Sequence, residues 1–146
     1  MLILVGCLVA HGLLADIVPS PWWVPDVTLV GLVLAIGRLP RHWLLFSATA
    51  GISMMAWAVR FPQPVFVGYL GFGGVVRLLA RQVDANDLRV QCFTAGLASA
   101  ALSLGALWLD GLWSFSLLGL ASGRVLLTAM AVPLARRLLV SGQVAK

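Results

Sequence analysis

Asp26 and Arg124 lie within or beside long apolar runs of the sequence. Their side chains carry opposite charges and could form an ion pair. An arginine inside a bilayer costs at least ~2.5 kcal/mol even on the lenient insertion scale, so Arg124 needs a partner or contact with water. Asp26 is the carboxylate that we expect to pair with it, and this pair would join two apolar segments. A role for Arg124 at a subunit interface or in a small cavity is the equal alternative.

His11 is another ionisable residue in such a run, and it lies in the middle of the first one. We expect a neutral histidine that faces other helices and bonds to one of them. A proton relay would need acidic partners at the same depth of the membrane, and the sequence indicates none.

Catalytic motifs are absent from the sequence. It contains no HExxH, no nucleophile elbow, no P-loop and no glutamate. The two cysteines, Cys7 and Cys92, have neither CxxC spacing nor a histidine cluster, so neither a disulfide framework nor a metal site is indicated. We therefore expect a protein that is not an enzyme and that uses no cofactor or metal.

The composition predicts an integral membrane protein. Hydrophobic residues make up 61% of the 146 residues and charged residues only 10%, whereas about a quarter of the residues are charged in soluble domains. A soluble chain of this size would have too few polar residues to cover its surface. The net charge of +5 is explained by membrane orientation and anionic lipids, so we expect lipid contacts and no nucleic acid.

The apolar runs predict an all-α bundle of about six transmembrane helices in one domain, residues 1–146. The second run follows two tryptophans and Pro25-Asp26, a pattern typical of a chain entering a bilayer. This run is short for a span, so part of the stretch from Trp22 to Asp26 must help it to cross. The predicted helices cover residues 1–18, 22–39, 43–60, 64–81, 90–109 and 112–139.

Small residues recur at turn spacing and predict close helix packing. Ser47 and Gly51 lie one turn apart in the third run, and Gly119 and Gly123 form a GxxxG step in the sixth. The fourth run carries a glycine cluster that includes Gly68 and Gly71. We expect packing there, with a hinge or an unwound ligand-binding segment as the alternative.

The basic residues predict the orientation of the chain. With six helices, eight of them fall on one side of the membrane, and the opposite loops contain only Arg60 together with Asp16, Asp26 and Asp110. The positive-inside rule then places both termini in the cytoplasm. The eight are Arg38, Arg41, Arg77, Arg81, Arg89, Arg136, Arg137 and Lys146.

The charged connection RQVDANDLR, with Arg77 just before it, lies on this cytoplasmic side. A solvated loop is the simpler interpretation. The alternative is a docking patch for a cytoplasmic partner, formed by Arg77, Arg81 and Arg89.

Two stretches resemble a known family. The run PDVTLVGLVLAI at 25–36, between a first helix and a basic turn, looks like the second helix of the bacterial rod shape-determining protein MreD. The closing run LTAMAVPL at 127–134 and the six-helix plan also resemble that family. The chain departs from the family pattern at Met55, four residues after Gly51, where MreD proteins usually have an acidic residue.

The resemblance implies a non-catalytic scaffold of the bacterial inner membrane. Such a subunit binds a single-pass partner of the MreC type and helps to couple cytoskeletal filaments to peptidoglycan synthesis. The six-helix plan is also similar to the substrate-binding subunits of energy-coupling factor transporters, which would make the chain a small-molecule carrier with Asp26, Arg124 and His11 as its polar groups. An accessory subunit of another large membrane complex is a third possibility.

Overall fold

The computed structural model describes residues 2–18, 24–57, 62–84, 86–111 and 114–144. These residues form six α-helices and a short 3₁₀ turn at Pro40–His42, and they contain no strand. The all-α fold predicted from the sequence is confirmed. The helices are α1 (Leu2–Ile17), α2 (Val27–Arg38), α3 (Trp43–Trp57), α4 (Pro62–Gln82), α5 (Leu88–Asp110) and α6 (Phe115–Val144).

Helix α2 is the centre of the bundle. It packs against each of the other five helices, and an unbroken run of nine residues from Thr28 to Ile36 is buried. The sequence explains this position, because a helix that is apolar on every side avoids water best when other helices surround it.

The predicted start of α2 at residue 22 is wrong. The helix begins at Val27, and Asp26 is its N-cap residue. With 12 residues it is ~18 Å long, well short of the ~30 Å hydrocarbon layer. Val24, Pro25 and Asp26 precede it in non-helical conformation, because the Asp26 side chain bonds to the first turn and fixes the helix start there. Trp22 lies outside the described residues.

Helix α6 differs from its predicted bounds at both ends. It starts at Phe115 and continues to Val144 as one helix of 30 residues. Pro133 lies inside it, where the missing backbone N–H leaves the Ala129 carbonyl without its helical donor. The helix nevertheless continues past the proline.

Within the part of the chain that the structure describes, three helices are long and apolar enough to cross a membrane: α4, α5 and the part of α6 up to Leu138. Their outward side chains are apolar, with Phe93 on α5 71% exposed and Met130 on α6 67% exposed. Apolar surface of this extent fits lipid and not water. The chain is therefore a membrane protein.

Small residues bring α3 and α4 together. A Cβ atom at Gly73 would overlap the Ser47 hydroxyl, and one at Gly51 would lie 2.8 Å from the Phe66 ring. The Ser47 hydroxyl is itself fixed, because it donates a hydrogen bond to the Trp43 carbonyl at 2.7 Å. The predicted packing face of Ser47 and Gly51 thus lies against α4.

The glycine cluster of α4 is helical throughout. Gly68 lies against α5, where a Cβ atom would be 2.7 Å from Leu102. A Cβ atom at Gly71 would meet no described atom within 4 Å, so this glycine makes no close packing contact with the described residues. An unwound segment is not observed in α4.

Gly73 and Gly71 provide a matched test of this packing. We expect Gly73→Ala to destabilise the bundle by ~1–3 kcal/mol, because the added methyl must displace Ser47. Gly71→Ala adds the same methyl to open space and gains up to ~1 kcal/mol of helix propensity. Thermal unfolding of both purified variants in one detergent measures the difference, and equal unfolding temperatures would contradict the close α3–α4 contact.

Candidate functional site

The Asp26 carboxylate is the centre of a buried polar cluster. Only 3% of the residue is exposed, and its position at the start of α2 turns the carboxylate toward the free N–H groups of the first helical turn. Its Oδ1 atom accepts a hydrogen bond from the Leu29 backbone N–H at 3.1 Å. The helix dipole also favours a negative charge at this end.

Tyr69 is the second donor to this carboxylate. Its hydroxyl, carried by the first half of α4, lies 2.9 Å from Oδ1 and 3.1 Å from Oδ2 of Asp26. Tyr69 is 1% exposed, and a hydroxyl buried in apolar surroundings is stabilised by such a bond. Helices α2 and α4 are therefore joined by a hydrogen bond to a charged group.

Arg124 supplies the positive charge. Its Nη2 atom lies 3.6 Å from Oδ2 of Asp26, so the sequence-based pair is brought together by the fold. The distance is too long for a direct hydrogen bond. The attraction is nevertheless substantial, because the carboxylate is almost fully buried and lipid surrounds the bundle. The Arg124 side chain remains 23% exposed.

Hydroxyl groups fix the backbone around the pair. The Asp26 N–H donates to Thr128 Oγ1 at 2.9 Å, and the Thr128 hydroxyl donates to the Arg124 carbonyl at 2.8 Å. Ser99 on α5 donates to Thr128 at 3.3 Å. This chain of bonds positions the start of α2 against α5 and α6.

His11 lies beside the cluster. It is 7% exposed and interacts electrostatically with both Asp26 and Arg124. The expectation that His11 faces the bundle agrees with this position. The expectation that no acidic residue lies at its depth is wrong, because the non-helical residues before α2 carry Asp26 inward instead of leaving it at the surface.

The cluster lies inside the bundle, ~9–14 Å from one of its two ends. At ~1.5 Å per residue, His11 is ~9 Å from the end of α1, Tyr69 ~10 Å from the start of α4 and Arg124 ~14 Å from the start of α6. These three helix ends lie at the end of the bundle opposite to Arg38, Arg81 and Arg137. Asp26, which was expected on the outer side of the membrane with Asp16 and Asp110, is buried inside the bundle. Arg60 lies outside the described residues.

Sequence reasoning missed Tyr69 and Ser99. The signal for Tyr69 was present, since it is the chain's single tyrosine and lies in an apolar helix, where a buried phenol needs a hydrogen-bond partner. Ser99 carried no such signal, because serines are common in the packing faces of membrane helices.

The other predicted site residues lie away from this cluster. Arg77 stacks over the Trp43 ring at 5.4 Å, while Arg81 and Arg89 are exposed at the connection between α4 and α5. For Gly119 and Gly123, a Cβ atom would meet no described atom within 4 Å. The GxxxG step of α6 is therefore not used for contacts among the described residues.

The arrangement around Asp26 is one of charge pairing. The Asp26 carboxylate is occupied by a backbone N–H, a tyrosine hydroxyl and an arginine. No group of three metal-ligating side chains occurs within the described ranges.

A double-mutant cycle tests the ion pair. We expect Asp26→Asn and Arg124→Leu each to destabilise the protein by ~3 kcal/mol, because either change leaves an unpaired charge in the bundle. The double variant should lose less than the sum, with a coupling energy of ~0.5–3 kcal/mol. Thermal unfolding and yield in membranes provide the readout, and Asp16→Asn, at an exposed position of α1, is the control. Additive losses would contradict the pair.

Comparison of this chain with protein-family models, with curated proteins and with solved structures found no match.

Proposed function

We propose that the chain is a non-catalytic scaffold subunit of the bacterial inner membrane that assembles with other membrane proteins through helix contacts. The observation that carries this proposal is the outward face of α6. Gly119 and Gly123 have open space around them, and small residues one turn apart allow another helix to approach closely.

The distribution of polar groups supports the same function. The Asp26 carboxylate bonds to a tyrosine and a backbone N–H inside the bundle, whereas large parts of α4 and α6 expose apolar side chains. A subunit of this kind offers its neighbours an apolar surface with small residues. In lipid, such a surface associates through close packing rather than through the hydrophobic effect.

The proposed topology has six crossings with both termini in the cytoplasm. Arg38, Arg81 and Arg137 are exposed near one end of the bundle, as the positive-inside rule requires of a cytoplasmic face. Arg136 donates a hydrogen bond to the Asn86 carbonyl at 2.8 Å, which joins late α6 to the α4–α5 connection. The short α2 is buried by its neighbours, so its length does not leave polar backbone in contact with lipid.

The resemblance of 25–36 and 127–134 to MreD suggests the partners. A single-pass protein of the MreC type would pack on the outward face of α6, and the complex would take part in cell shape and peptidoglycan synthesis. The exposed Arg81 and Arg89 and the nearby Arg77 would serve as a cytoplasmic docking patch.

A small-molecule-binding membrane subunit is the second candidate. The observation that favours it is the buried cluster of His11, Asp26 and Arg124, since ligand sites in helix bundles are built from a few convergent polar groups within apolar walls. An accessory role in another large membrane complex would use the same outward face as the scaffold function.

Purification of the tagged chain from its native membrane in mild detergent separates these functions. We expect a single-pass membrane protein and peptidoglycan-synthesising enzymes to co-purify with the chain. A paired ATPase module with a bound small molecule would instead support the second candidate, and recovery of neither set of proteins would contradict both.

A substitution at Gly119 tests the outward face itself. We expect Gly119→Leu to reduce recovery of the single-pass partner about tenfold, equivalent to ~1.4 kcal/mol of binding energy. The unfolding temperature should hardly change, because no described atom lies near this position. Gly6→Leu is the matched control, since Gly6 on α1 also has open space. Full partner recovery with Gly119→Leu would refute the use of this face.

A further inference from the structure

Arg77 on α4 is held against the ring of Trp43, the first residue of α3. The central carbon of its guanidinium group lies 5.4 Å from the centre of the ring, a distance at which the ring face attracts a cation. Both residues are half-buried. Arg77 thus differs from Arg81 and Arg89, whose side chains are exposed at the connection between α4 and α5.

Two glycines of α4 give the Trp43 ring its position. A Cβ atom at Gly73 would lie 3.5 Å from the ring, and one at Gly74 would lie 3.7 Å from it. The ring therefore lies on α4 where side chains are missing, one turn before Arg77 on the same helix. The packing of α3 on α4 thereby orients an arginine side chain that would otherwise rotate freely.

The guanidinium group of Arg77 has donors without acceptors. Arginine carries five N–H donors, and a tryptophan ring attracts the charge without replacing an oxygen acceptor. Arg77 forms neither a hydrogen bond nor a salt bridge with any residue that the structure describes. Its nitrogen atoms are open to the surroundings, so these donors are available to a ligand.

The charges close to Arg77 have one sign. Arg41 lies two residues before Trp43, so their Cα atoms are at most ~8 Å apart. Arg81 lies one turn after Arg77, and α3 contains no charged residue. The first carboxylate after Arg77 along the chain is that of Asp84, ~10 Å further on. An anion is therefore the complementary ligand.

The depth of the Arg77–Trp43 pair indicates which kind of anion fits. Arg77 lies ~7.5 Å before the end of α4, and tryptophan favours the headgroup layer of a bilayer. The neighbouring side chains face lipid, since Leu44 on α3 and Leu78 on α4 are each 58% exposed. An anion at this position lies next to hydrocarbon chains, and a phospholipid provides both groups in one molecule.

We propose that Arg77 and Trp43 form a binding site for an anionic phospholipid, with Arg41 as an additional positive charge beside it. The guanidinium group donates two parallel hydrogen bonds to the phosphate oxygens. The acyl chains lie against Leu44 and Leu78. Phosphatidylglycerol is favoured over phosphatidylcholine, because the positive choline group of the latter would lie among arginines. The site requires only the membrane and is compatible with a scaffold or with a small-molecule carrier.

Competition between these two lipids tests the site in the purified full-length chain. Phosphatidylglycerol and phosphatidylcholine with identical acyl chains are added in equal amounts in detergent, and native mass spectrometry counts the lipids that remain bound. We expect about tenfold more phosphatidylglycerol than phosphatidylcholine, because one lipid keeps its negative charge beside the arginines and the other does not. Equal binding of the two lipids would overturn the proposal.

A pair of arginine variants separates this site from the net charge of the chain. Arg77→Gln should lower the preference for phosphatidylglycerol about fivefold, as expected for the loss of one basic residue at the membrane surface. Arg137→Gln removes the same charge from an exposed position of α6 and should leave the preference unchanged. Equal effects of the two variants would show that net charge alone attracts the lipid, and would overturn the proposal.

Variants of Trp43 test the orientation of Arg77 and keep the proposal testable if Arg77→Gln does not fold. Trp43→Leu should weaken the preference although every arginine is retained. Trp43→Phe should restore most of it, because a phenyl ring also attracts a cation. Loss of the preference to the same extent in both variants would contradict the role of the ring face.

Inorganic phosphate and a poly-glutamate peptide represent the other possible sources of an anion. Neither should displace bound phosphatidylglycerol, because neither has apolar chains for the surface around Leu44 and Leu78. Displacement by phosphate would indicate a site for a free anion, and displacement by the peptide would indicate a docking surface for an acidic protein. Either result would overturn the proposal.

Discussion

The buried carboxylate of Asp26 is the constraint on which the rest of the structure depends. An isolated carboxylate inside a bundle surrounded by lipid is strongly unfavourable, and three helices supply compensating groups. Helix α2 provides the Leu29 N–H, α4 provides the Tyr69 hydroxyl and α6 provides Arg124. The need to satisfy one charge thereby fixes how three helices meet. Contacts between apolar side chains are not directional, and alone they would define this arrangement less well.

This arrangement also explains the short central helix. Asp26 ends the non-helical segment and begins α2 inside the bundle, so α2 has only 12 residues and is surrounded by the other five helices. The longer helices α4, α5 and α6 provide most of the apolar length needed to cross a bilayer. Hydrogen bonds and an ion pair fix the positions of helices in the interior, whereas the exterior requires only that its side chains are apolar.

Two groups of glycines lie in different surroundings. Gly51, Gly68 and Gly73 lie against side chains of neighbouring helices, and a methyl group at any of them would be too close to its neighbour. Gly119 and Gly123 lie in open space, so the same kind of sequence motif does not always mark a contact among the described residues. Small residues indicate close approach by some helix, but only the surrounding structure shows whether that helix belongs to the same chain.

The sequence by itself determined the helical class, the membrane environment and the two charges of the Asp26–Arg124 pair. Composition and hydrophobic runs suffice for these because they depend only on local residue types. It also located α3, α4 and α5 to within a few residues. Only the tertiary structure decided that α2 begins at Val27, that Tyr69 and Ser99 join the Asp26 cluster, and that His11 lies beside a carboxylate. The physical reason is that the depth of a side chain and the residue that it faces depend on how helices distant in sequence pack together. Apolar patterns that are uniform around each helix do not specify this packing.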